Sequence, residues 1–151
     1  MADNAFQRVG AISNAHVGRE FEELARGFLG REGLHLSSNF SVSLGVGSIK
    51  KIRRFDLGCG DPQTLVECKS HRWTAGNNVP SAKMTVWNES MYYFHLAPAS
   101  YRKIMFVLRD LHARRRQSLT EYYIQNYGHL IPESVEFWEY DPSTSSTIRV
   151  K

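Results

Sequence analysis

With 151 residues, 42% of them hydrophobic and 23% charged, the chain is long enough for one domain with a core that needs no staples, and its composition excludes wholesale disorder. The longest apolar run, Ile104–Leu108, excludes a membrane-spanning helix, and the Met1–Arg8 segment lacks the pattern of a secretory signal. The net charge of +4 is uneven, with 17 Lys/Arg against 10 Asp/Glu in residues 1–116 and 2 against 5 in residues 117–151, so an anionic partner such as nucleic acid is expected. Cys59 and Cys68 are too few for a disulfide framework, and a cytoplasmic location with reduced thiols is the expectation.

In chain order, the periodicity predicts a helix over 14–30, with Val17, Phe21, Leu24, Ala25 and Phe28 at helical spacing. Ser13 or Asn14 would cap its start, and Gly33 would stop it. Alternating Phe40, Val42 and Leu44 predict a strand over 38–44, and Gly45-Val46-Gly47-Ser48 a hairpin turn. A second strand is expected over 50–57, broken by Gly58-Cys59-Gly60-Asp61-Pro62, and a third over 63–69. Residues 73–79 read as a loop. A helix over 81–95 follows, striped by Met84, Trp87, Met91, Phe94 and His95 and ended by Pro98. Residues 103–109 suit a buried strand, 119–127 a helix and 135–140 a last strand, with 141–147 a turn or short flexible segment. The order indicates an α/β chain of α+β type, a mixed sheet with helices packed against it.

Three strand-borne residues carry the chemistry. Asp56 ends the second strand, while Glu67 and Lys69 lie two apart on the third and therefore share a face, with Val66 and Cys68 turned the other way. Two carboxylates can hold Mg²⁺ or Mn²⁺, a hard ion that polarises a phosphate and acidifies a bound water. A lysine beside them can orient that water or offset charge on the phosphoryl oxygens. Taken singly, a Glu-x-Lys pair on a strand is a common cross-strand charge pattern.

The block Arg54-Phe55-Asp56-Leu57-Gly58, with Glu67-Cys68-Lys69 ten intervening residues after Asp56, resembles the PD-(D/E)XK phosphodiesterase superfamily, with Phe55 where the family's proline often stands. The upstream segment Gly18-Arg19-Glu20-Phe21-Glu22-Glu23-Leu24-Ala25 resembles the first helix of its Holliday-junction-resolvase-like and Mrr-like members. The resemblance spans roughly residues 14–110. It implies a restriction-endonuclease-like αβββαβ core, DNA cleavage, a magnesium cofactor and Glu22 as a further metal ligand. It also implies a homodimer, to which the apolar surface of the aromatic-rich helix 81–95 is suited. Helical periodicity alone leaves Glu20 and Glu22 on opposite flanks of the apolar stripe, with Gly18 and Ala25 favouring the Glu22 side.

Residues that follow Lys69 are expected at the lip of the site. Arg72 can contact phosphate, and Trp73 can stack on a base or else seal the sheet edge. His71 is either a proton carrier or an ordinary solvated histidine. Lys51 and Arg54 lead into Asp56, and alternation puts Arg54 on its face. Arg114, Arg115 and Arg116, after His112, form either a second phosphate-contacting loop, flexible in the free protein, or a solvated one. Cys59, Cys68 and His71 match no zinc spacing. Nothing in the sequence separates RNA from DNA as substrate, and a binding module without catalysis is the competing function.

Overall fold

The computed structural model describes the backbone from Asp3 and the side chains from Ala15 to Lys151. Helix α1 (Asp3–Arg31) leads into three strands, β1 (Ser37–Leu44), β2 (Lys51–Gly60) and β3 (Gln63–Lys69). Then come α2 (Ser81–Leu96), β4 (Arg102–Leu108), α3 (Leu119–Tyr127), β5 (Val135–Asp141) and β6 (Ser146–Arg149). The strands form one mixed sheet in sequence order, antiparallel from β1 to β3, parallel from β3 to β5, and antiparallel again at β6. This is the expected α+β architecture, with αβββαβ as its first six main elements. No helix among the described residues is long and apolar enough to cross a membrane.

The sheet is covered on both faces. On one, Phe21, Ala25 and Leu29 of α1, four residues apart, pack on Leu57, Val66, Ile104 and Phe106. On the other, Met84, Trp87, Met91 and Phe94 of α2 and Leu119 and Tyr123 of α3 pack on Phe55, Leu65, Met105, Val107 and Phe137. Central β4 is buried from Lys103 to Leu108, as a strand with parallel neighbours on both sides should be. The aromatic stripe of α2 is thus used by the core, and only Val86 and Tyr92 remain as large exposed apolar side chains on that helix. The apolar excess expected to supply a dimer face is correspondingly small.

Four expectations need correction. Helix α1 runs unbroken past Ser13 and Asn14, so neither starts it; their side chains lie outside the described residues. At its other end Gly33, at φ +90°, does terminate it, and the Leu34 N–H donates to the Leu29 carbonyl at 2.8 Å. Strand β2 does not break at Gly58. It stays paired to β1 and β3 through that residue, and the turn comes at Asp61–Pro62, whose peptide bond is cis. Glycine is needed at 58 because a Cβ there would stand 2.5 Å from the Phe40 ring. The β1–β2 connection spans residues 45–50, longer than the four-residue turn expected. The strand expected over 135–140 is not the last: residues 142–145 make the expected turn, with Asp141 Oδ1 accepting from the Ser143 N–H and hydroxyl at 2.9 and 2.7 Å, and β6 follows from Ser146.

β1 and β2 share one irregularity that positions the site. Phe55 packs toward α2, yet Leu57 packs toward α1, so simple alternation fails across Asp56. At the same level of β1, Asn39 adopts φ +53°, and Leu36 and Phe40 likewise face opposite layers. The β2–β3 pairing begins only at Leu57↔Val66. Asp56 therefore sits where β2 parts from β3, and its Oδ2 accepts the Cys68 N–H at 2.8 Å across the gap. Local breaks in a ladder re-aim side chains in this way.

Candidate active site

The parting of β2 and β3 opens a cleft of about 660 Å³ between α1 and the start of α2. Glu22 from α1, Asp56 from β2, Lys69 from the end of β3, and His71, Arg72 and Lys83 line it. Glu22, not Glu20, is the helix carboxylate of this cleft; Glu20 is exposed and pairs with His16 at 3.1 Å. Burial, then the charges of Asp56 and Glu67, raise the proton affinity of Glu22 above the usual carboxylate range.

Glu67 and Lys69 share a face as alternation requires, and Lys69 Nζ lies 3.1 Å from Glu67 Oε2. Glu67 nevertheless does not open onto the cleft. It is 1% exposed, and its other oxygen accepts from the Arg53 guanidinium at 3.1 Å. Arg53 in turn lies 4.3 Å from the centre of the Tyr93 ring. Burial raises the Glu67 pKa, and Lys69 and Arg53 oppose that rise. The arginine that serves the site is thus Arg53. Arg54 and Lys51 are exposed and, with Arg53 itself, line a separate cavity bounded by Leu44, Tyr93 and Leu96; only Arg53 reaches Glu67. Arg54 does not line the cleft that Asp56 lines.

Among the described residues, no three His, Cys, Asp or Glu side chains are grouped as a ready metal cage. The chemistry of Glu22 and Asp56 nonetheless fits a hard divalent ion, since both offer carboxylate oxygens to one cleft and Asp56 raises the proton affinity of Glu22. Mg²⁺ needs no more than one or two carboxylates when it keeps several waters. Glu67, with both oxygens on cations, is the least available of the three.

His71 is not a solvated histidine. Its Nδ1 accepts the Trp87 indole N–H at 2.8 Å, which leaves the proton of the neutral ring on Nε2. Burial, with Lys83 and Lys69 nearby, lowers its pKa to about 4. Trp73 is buried rather than free to stack on a base: its backbone N–H donates to Asp110 Oδ2 at 2.8 Å and its indole N–H to the Asp110 carbonyl at 3.0 Å. Arg72 remains exposed, 3.5 Å from Asp110 Oδ1.

The loop carrying Arg114, Arg115 and Arg116 is tied by hydrogen bonds rather than loose. Buried His112 accepts the Arg114 and Arg115 N–H groups on Nδ1 at 3.1 and 3.0 Å, and its Nε2 meets the Asn77 carbonyl at 2.8 Å. Arg114, Arg115 and Arg116 are all exposed, and Arg115 also lies over the Trp73 and Tyr122 rings. Cys59 and Cys68 are free thiols, and burial with neighbouring carboxylates pushes the Cys68 thiol well up, consistent with an inert packing residue.

Lys83 and Arg53 were not anticipated as site residues. Lys83 lies on the exposed side of α2 and gives no periodic signal, and Arg53 was hidden by the phase change at Asp56. Comparison with protein-family models, curated proteins and solved structures finds no match to this chain.

Proposed function

We propose that this chain is a metal-dependent endonuclease of the PD-(D/E)XK superfamily that hydrolyses phosphodiester bonds of DNA. The observation that carries this reading is the convergence of Glu22, Asp56 and Lys69, from three different elements of an αβββαβ framework, on one cleft. Glu22 and Asp56 are the residues that would hold Mg²⁺ or Mn²⁺. When bound, such an ion supplies a polarised phosphate and a water of lowered pKa. Lys69, steadied by Glu67, offsets charge on the phosphoryl oxygens, and Arg72 and Lys83 can seat the flanking phosphates. His71, neutral with Nε2–H, acts as a hydrogen-bond donor and not as an imidazolium acid near neutral pH. A homodimer belongs to this reading, because the two strands of a duplex present two target bonds.

The test is incubation with plasmid, linear duplex, single-stranded and four-way-junction DNA, and with RNA, in Mg²⁺, Mn²⁺ or EDTA. DNA cleavage should require metal and fall about 10²–10³-fold in Lys69→Ala, with binding retained. Equal cleavage by the variant, or cleavage in EDTA, overturns the assignment, and cutting confined to RNA changes the substrate. One observation favours a second reading, a nucleic-acid-binding module on this fold: both Glu67 oxygens are engaged by cations. Binding without cutting of any substrate would select it.

A further inference from the structure

β1 and β2 continue well past the rest of the sheet. They pair with each other from Ser37↔Gly58 to Leu44↔Lys51, whereas β3 pairs with β2 only from Leu57 to Gly60. Six residues of each strand therefore form a two-stranded ribbon, about 20 Å long at ~3.4 Å per residue. Its face toward α2 carries Val42, Leu44 and Arg53, which pack or pair inward, and at its end the exposed Lys51, opposite Leu44. The opposite face, formed by the facing pairs Ser41↔Arg54 and Ser43↔Ile52, is exposed. At the tip Val46 and Ile49 are 77% and 87% exposed, and Ile52 below them 60%.

The charge on this ribbon is one-sided. No acidic residue occurs between Glu32 and Asp56, while Lys50, Lys51, Arg53 and Arg54 all do. Glu67 neutralises Arg53, which leaves Lys50, Lys51 and Arg54 as exposed cations without an acidic partner on the ribbon. Asp56 follows Arg54 by two residues, about 7 Å along a strand, so the ribbon ends beside the cleft.

We propose that this ribbon enters the major groove of B-form duplex DNA, with Arg54 of the exposed face and Lys51 of the other face on phosphates of opposite groove walls and the Val46–Ile49 tip against the groove floor. The inference rests on the nuclease reading for its choice of nucleic acid, and it names the substrate class as duplex DNA. Two strands lie about 4.8 Å apart, and the B-DNA major groove, about 12 Å wide, admits such a ribbon. The deep, narrow major groove of A-form RNA does not. Serine hydroxyls on the exposed face can donate to phosphate oxygens without steric bulk.

The experiment is fluorescence anisotropy with a 25-base-pair DNA duplex, the same duplex as RNA, and one DNA strand, in EDTA across a salt series. The wild-type protein is compared with Lys51→Glu/Arg54→Glu and with Val46→Ser/Ile49→Ser, each checked for unchanged circular dichroism. The wild type should favour duplex DNA over duplex RNA at least tenfold. The charge-reversal variant should lose at least tenfold in DNA affinity, with the salt slope reduced by about 2. The tip variant should lose affinity with the slope kept. Equal affinity for duplex RNA, or wild-type binding by both variants, overturns the ribbon assignment even if the protein cuts DNA. So does a ribbon variant that changes only the oligomeric state, which would make the ribbon a contact between copies. Ribbon-dependent binding by a protein that cuts nothing would sustain the inference and discard the nuclease.

Discussion

Arg53 governs the state of Glu67. A carboxylate 1% exposed is costly to ionise unless its charge is matched, and Arg53 and Lys69 each take one oxygen. The guanidinium is held in turn by the Tyr93 ring. Arg53→Ala should cost roughly 3 kcal/mol, the low end for breaking a buried pair, because the arginine is partly exposed. Arg53→Lys should restore part of the stability. Urea unfolding of the three proteins measures this, and an alanine variant as stable as wild type would show that Lys69 alone suffices. The Glu67–Lys69 pair was legible because two residues on a regular strand share a face. Arg53 was not, since alternation places its neighbour Arg54 on the face of Asp56.

At the level of elements, the close approach of β1 to β2 beside Asp56 depends on Gly58. A Cβ at that position would fall 2.5 Å from Phe40, near the ring's attachment to its own Cβ, where a rotamer change gives little relief. Gly58→Ala should therefore destabilise by about 1–3 kcal/mol through overpacking and push β1 and β2 apart beside Asp56. Pairing it with Phe40→Gly, which removes all three atoms the new Cβ would meet, should make the double loss smaller than the sum of the single losses. Thermal melts of the single and double variants decide this, and additive losses would place the strain elsewhere. The sequence marked Gly58 as a strand breaker because glycine with Asp-Pro nearby usually is. What reversed that reading is the Phe40 ring on the neighbouring strand, a contact that no local pattern encodes. β6 escaped notice for a similar reason: four residues of Ser, Thr, Ile and Arg carry little strand signal and are ordered by pairing with β5.

Across the whole molecule, acid stability has a definite sign. His71 has a folded-state pKa of about 4 against an ordinary value of 6.5, so the fold binds this proton more weakly than the unfolded chain does. Its contribution is complete above pH 6.5 and is lost as pH falls toward 4. Glu22, Glu67 and Glu139 have raised values, so protonating them favours the fold as pH falls toward 4.5. His71→Gln keeps an acceptor for the Trp87 indole and should show a smaller fall in Tm between pH 6.5 and 4 than wild type. Superimposable Tm profiles would mean that another group governs the acid limb.

The sequence by itself determined the order of helices and strands, the burial of β4, the gathering of acid and lysine on adjacent strands, and the excess of basic charge before Asp56. Those features follow from periodicity, alternation and composition, which are local. The tertiary structure decided which of Glu20 and Glu22 lines the cleft, paired Arg53 rather than Arg54 with Glu67, buried Trp73 and His112, and set the β1–β2 ribbon free of β3. Each of these depends on which strands stop pairing and which rings pack across them, contacts between residues far apart in the chain.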